Sequence, residues 1–128
     1  MPLQPMKVNA LVIPVVVMPF LCTILPGSSS AATDEVRVEE GRRLTQDFRK
    51  GNCLACHSIP TDPTAITKAN IAPPLSHMRE RFASREALRS QIWDAGQRNP
   101  NTVMPPFGKH RILTDDEIEL IIDYLYTL

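Results

Sequence analysis

The sequence predicts an all-α domain of three to four helices. Apolar residues recur at helical spacing in three separate segments, capping residues stand at their starts, and no stretch alternates apolar and polar as a half-buried strand would. A chain of 128 residues with 43% hydrophobic residues can build one small core and is too apolar for a disordered tail. A core of that size buries a modest share of its surface, so a metal, a disulfide or a large cofactor commonly completes its stability.

Residues 1–32 are expected to lie outside that domain. They hold no acidic residue, one lysine (Lys7), an apolar stretch from Val8 to Leu25, and then Pro26-Gly27-Ser28-Ser29-Ser30-Ala31-Ala32. That order is a secretory signal peptide. Small residues at Ser30 and Ala32 place the cut after Ala32, which predicts a periplasmic protein whose domain spans residues 33–128. An uncleaved membrane anchor is the alternative, since the run approaches the roughly 20 residues that span a bilayer. Pro14 and Pro19 interrupt it, so the membrane enters only if the leader is retained. Lipid attachment at Cys22 is disfavoured by the bulky Pro19-Phe20-Leu21 before it.

Within the domain, Thr33, Asp34 and Glu35 suit a helix start, and Val38, Gly41, Leu44 and Phe48 follow on one side, predicting a helix over 34–49. Gly41 in its interior costs about 1 kcal/mol relative to alanine, tolerable where another helix approaches closely. Residues 58 to 76 hold Pro60, Pro63, Pro73 and Pro74, a loop long enough to imply that it wraps a ligand. Ser84 then caps a helix carrying Leu88, Ile92 and Ala95, closed by Gly96. A second loop, 97 to 109, is stiffened by Pro100, Pro105 and Pro106. Thr114 and Glu117 form a capping box for a last helix with Ile118, Ile121, Ile122 and Leu125 at i, i+3, i+4 and i+7.

The chemistry lies in Cys53-Leu54-Ala55-Cys56-His57. Two thiols three positions apart can add to the two vinyl groups on one edge of a haem, and the adjacent histidine then sits beneath the iron. A thioredoxin-like site would need a strand before it, and a zinc site a second ligand pair. Neither is present. Loss of the leader removes Cys22 and leaves two cysteines, both in this run, so one covalent haem c is the expected cofactor.

A haem iron used for electron transfer takes a sixth ligand, for which a methionine thioether is the soft choice that favours ferrous iron. Met104, between prolines in the second loop, is the leading candidate; Met78 reads as a helix start or core filler, and His77 and His110 as surface histidines. An open iron position for sensing a gas is disfavoured by Met104. Pro73 can offer its carbonyl to His57, since ligating histidines give their second ring N–H to an acceptor. Trp93 is a candidate partner for a haem propionate, with core packing as the alternative.

Fourteen basic residues balance fourteen acidic ones, so no nucleic acid is expected. Basic residues gather between Arg79 and Arg111, which suits either an acidic partner or a solvated helix surface.

Together these features resemble class I cytochromes c over nearly all of residues 34 to 128: an N-terminal helix running into the motif, a proline loop, a methionine loop and a capped C-terminal helix. The resemblance implies a class I fold wrapped around one covalently attached haem, with Gly41 and Phe48 crossing Tyr124 and Leu125. Within that class, three stretches resemble the SoxX family, the monohaem subunit of the bacterial thiosulfate-oxidising SoxXA complex. They are Lys50-Gly51-Asn52 with the motif, Asn99-Pro100 through Met104 to Gly108, and Leu113-Thr114 through Tyr124 to Leu128. Ala72 stands where the family usually has glycine before the proline.

That resemblance implies a SoxA-like dihaem or monohaem cytochrome partner, a downstream acceptor cytochrome, and an electron-accepting role with no catalytic residues in this chain. A free-standing electron shuttle is the rival reading. A subunit would bury an apolar patch, for which Phe82, Phe107, Tyr124 and Tyr126 are candidates, each equally able to serve as core.

Overall fold

The computed structural model describes residues 29–128, so most of the expected leader lies outside the described residues. Four α-helices follow in order: α1 (Ser29–Gln46), α2 (Met78–Arg81), α3 (Arg85–Trp93) and α4 (Asp115–Leu125). Single 3-10 turns at Cys53–Ala55 and Ala95–Gln97 interrupt the loops, and no strand occurs among the described residues.

The core forms where α1 crosses α4. A Cβ on Gly41 would stand 1.9 Å from the Leu120 carbonyl oxygen, so only glycine lets the backbones approach this closely. Leu44 of α1 and Ile118, Ile121, Ile122, Tyr124 and Leu125 of α4 are buried around that contact. The Thr114–Glu117 capping box forms in full, the Thr114 hydroxyl accepting from Glu117 N–H and the Glu117 carboxylate from Thr114 N–H.

Three expectations are corrected here. Helix α1 begins earlier than residue 34, consistent with the strong helix preference of Ala31 and Ala32, and ends at Gln46. Phe48 therefore falls in the following turn, 77% exposed, and takes no part in the crossing. Helix α3 is capped by Ser84 as expected, but ends at Trp93 rather than near Gly96. Asp94 makes the turn, its carboxylate accepting from Gly96 N–H and pairing with Lys109 at 2.8 Å.

The basic segment is largely used internally. Arg85 of α3 pairs with Glu119 (2.8 Å) and Asp123 (2.7 Å) of α4, Arg89 with Asp115 and Glu119, and Arg37 of α1 reaches Asp123 as well. Arg79 lies over the Tyr126 ring at 4.9 Å and Arg98 over Phe82 at 5.6 Å. The aromatic patch is also absorbed: Tyr124 and Phe107 are buried, and Phe82 and Tyr126 pack against the core. Met78 both starts α2 and fills core, and its N–H donates to the Leu128 carbonyl at 3.2 Å, tying α2 to the chain end.

Candidate haem site

The turn after α1 aims the motif. Asn52 adopts a left-handed conformation (φ 46°), a geometry asparagine tolerates, and starts the Cys53–Ala55 turn. The N–H groups of Cys56 and His57 both donate to the Cys53 carbonyl, at 3.1 and 2.8 Å, which gathers both thiols and the imidazole at one cavity. That cavity holds about 790 Å³, within the roughly 300–1,000 Å³ usual for small-molecule and cofactor sites.

His57 is oriented by the first proline loop. Its Nδ1 lies 2.7 Å from the Pro73 carbonyl oxygen. A carbonyl only accepts, so Nδ1 carries the hydrogen and Nε2 keeps a lone pair for a metal. Two backbone bonds hold the loop in place: Ala72 N–H to the Cys56 carbonyl at 3.0 Å and Leu75 N–H to the Ser58 carbonyl at 2.8 Å. Alanine at position 72 is accommodated in that turn.

Met104 reaches the same cavity from the second loop. Thr102 N–H donates to the Asn99 carbonyl at 3.0 Å, and Met104 N–H donates to the Thr102 hydroxyl at 3.1 Å, so the methionine rides on a closed turn between prolines. Its sulfur lies 3.8 Å from the Gln91 amide nitrogen. Gln91 was not anticipated from sequence; the signal was a polar residue between Leu88 and Ile92, on the apolar stripe of α3.

The chemistry of the lining suits a large flat apolar group. Leu75, Met78, Leu88, Ile92, Phe107 and Leu113 form buried walls, while Phe48, Ile71 and Val103 border the cavity at 77%, 68% and 79% exposure. Apolar side chains so placed gain about 25 cal/mol per Å² when a ligand covers them. Of the cations at the lining, Lys50 pairs with Glu117 at 2.7 Å and Arg49 with Asp47 at 3.6 Å, while Arg81 donates to the Pro74 carbonyl and has no carboxylate partner among the ion pairs of the described residues. Burial pushes the Cys53 thiol up to about 12, with neighbouring Cys56 adding to the shift, which disfavours the thiolate that disulfide exchange requires. Among the described residues no cluster of three or more His, Cys, Asp or Glu side chains is arranged for a bare metal ion.

Cys53, Cys56, His57, Pro73 and Met104 are thus brought to one cavity. Trp93 is not: it lies outside the lining, its indole packed so tightly on Gly108 that a Cβ there would meet the ring at 2.0 Å, with Arg89 over its face at 5.1 Å. Of the two readings of Trp93, this placement favours packing over a propionate contact, since the indole is seated on Gly108. His77 and His110 are exposed and do not line the cavity.

Residues 38–128 match the cytochrome c family, and the chain belongs to that family. The cofactor of that family is covalently attached haem c, and its members transfer electrons. The structure is similar to the crystal structure of SoxXA from P. pantotrophus, with a TM-score of 0.63 and 29% identity over 70% of this chain and 79% of that one. It is also 35% identical over 78 residues to an uncharacterized lipoprotein of Aquifex aeolicus, covering 61% of this chain and 37% of that protein's length.

Proposed function

We propose that this chain is the electron-accepting subunit of an exported thiosulfate-oxidising complex, paired with a SoxA-like cytochrome and passing electrons to a downstream acceptor cytochrome. The observation that carries the reading is the likeness to SoxXA, which extends over 79% of the matched chain at 29% identity. A haem bound here supplies a one-electron ferric/ferrous couple. Cys53 and Cys56 would hold it through thioether bonds, His57 Nε2 and the Met104 sulfur would bind its iron, and the Pro73 carbonyl would keep the imidazole in register. The apolar walls exclude water from the iron. The thiosulfotransferase chemistry then belongs to the partner.

Residues 1–32 act as the export signal, and the mature protein starts at Thr33. Mass measurement of the exported cytochrome tests this directly, a retained leader or a lipid-modified Cys22 being the contrary results.

The functional test adds thiosulfate and its carrier protein to the purified cytochrome, with and without a SoxA-type partner, and follows haem reduction. Reduction that depends on the partner is expected. Equal reduction without it, or failure of the two to co-purify, returns the protein to the class of free-standing shuttles.

A further inference from the structure

We propose that Asp94 and Lys109 form a clasp at the base of the methionine loop and act as positioning residues for Met104. The ion pair limits how often the loop opens and lets a foreign ligand reach the iron. The inference rests on the reading of Met104 as an iron ligand.

Residues 97–106 include no buried side chain, so the stretch that carries Met104 is not anchored by the core along its own length. Its conformation is set at its two ends. On one side Asp94 closes α3; Gln97 N–H donates to the Asp94 carbonyl at 3.1 Å and Asn99 N–H to the Ala95 carbonyl at 3.0 Å. On the other side Phe107 and Gly108 are buried, and Lys109 follows them. Three contacts join the ends: Lys109 N–H donates to the Trp93 carbonyl at 3.2 Å, Gly108 lies against the Trp93 ring, and Lys109 Nζ reaches Asp94 Oδ2 at 2.8 Å.

Asp94 is 7% exposed and is the one buried charged side chain among the described residues. A carboxylate so enclosed loses free energy unless it is hydrogen-bonded and paired. Gly96 N–H supplies Oδ1 at 3.2 Å and Lys109 supplies Oδ2. The hydrogen bond from Lys109 holds the carboxyl below its ordinary 3.8, so Asp94 is ionised at neutral pH. The Lys109 side chain is 60% exposed, which leaves the pair open to screening by salt. Parting the ends returns conformational freedom to every residue between them, and Met104 is one of these.

The test titrates the uncharged form of imidazole into the ferric haem-loaded protein. Imidazole competes with Met104 for the iron, so its apparent affinity rises with the fraction of molecules whose loop is open. Asp94→Asn keeps an oxygen for Gly96 N–H and removes the charge, while Lys109→Met keeps the stem of the side chain and removes the ammonium. Each is expected to tighten imidazole binding about threefold. Added salt is expected to tighten binding in the parent and to have no such effect in Asp94→Asn, because the pair that salt screens is already gone. A purely structural role would lower thermal stability and leave that salt dependence in place. Unchanged affinity in a folded variant, or a salt dependence that survives in Asp94→Asn, overturns the proposal. Should Lys109→Met fail to load haem, Asp94→Asn with its salt titration decides alone. Met104→Ala serves as the separate control. If that variant keeps the parent spectrum, the ligand assignment has failed independently of the clasp.

Discussion

The crossing of α1 with α4 and the two proline-rich loops at the cavity are stabilised by different physics. At the crossing, Gly41 admits the Leu120 carbonyl, and a continuous set of isoleucines and leucines excludes water on both sides. The loops contribute fewer buried apolar residues and are instead held by individual hydrogen bonds, such as Pro73 to His57, Ala72 to Cys56 and Met104 to Thr102. Burial energy in the frame accumulates over many atoms, whereas each loop bond nets about 0.5–1.5 kcal/mol. The frame should therefore decide whether the protein folds, and the loops how the iron is held.

The strongest way to break this contrast is Gly41→Leu. Its Cβ alone overlaps the Leu120 carbonyl, so α1 and α4 must part, and a loss of about 3 kcal/mol or more is expected by denaturant titration of the haem-loaded protein. A loss below about 1 kcal/mol would mean that the crossing is not the frame. Gly108→Ala probes where frame and loop meet. Its methyl group would press on the Trp93 ring, and a cost of about 2 kcal/mol is expected, with a red shift of tryptophan emission as the indole is displaced toward water.

Tyr124→Phe sharpens the contrast by removing one hydrogen bond from an otherwise intact frame. The Tyr124 hydroxyl donates to Asp62 at 2.6 Å, and burial together with that bond raises the phenol's pKa. Burial pushes the Asp62 carboxyl up, but the hydrogen bonds from Thr64 and Tyr124 outweigh it and hold it below its ordinary 3.8. A depressed carboxyl contributes stability above 3.8 that is lost as pH falls through the folded-state value. The variant should be less stable by about 1 kcal/mol at neutral pH, and the gap should close on acidification below 3.8. A gap that is constant with pH would assign the loss to packing.

Met104→Ala is expected to change folding least, since the side chain is only half-buried, yet to abolish the low-spin His/Met spectrum. An unchanged spectrum would pass the role to Met78 or a histidine. A large drop in stability would place Met104 in the frame instead of the loop.

The site was legible where its signals are local. The Cys53–His57 run needs no tertiary context to be read as a haem attachment point, and Met104 stood out by elimination and by its flanking prolines. Gln91 was not legible, because a lone glutamine on a helix gives no sign of what it faces. Trp93 stayed open between two readings for a related reason: a single tryptophan looks the same whether its indole faces a propionate or the backbone of Gly108.

By itself the sequence determined the elements whose causes are short-range. These are α4 with its capping box, the Ser84 cap of α3, the glycine at the helix crossing, and the spacing of two thiols and an imidazole along one turn. Tertiary structure alone decided what requires residues distant in sequence to meet. It set the proton on His57 Nδ1 through Pro73, turned Arg85 and Arg89 inward onto the acids of α4, moved Phe48 out of the crossing to the cavity rim, and put an amide beside the methionine sulfur. Caps and periodicities are set within a turn or two of the chain, whereas these contacts depend on how whole helices and loops pack.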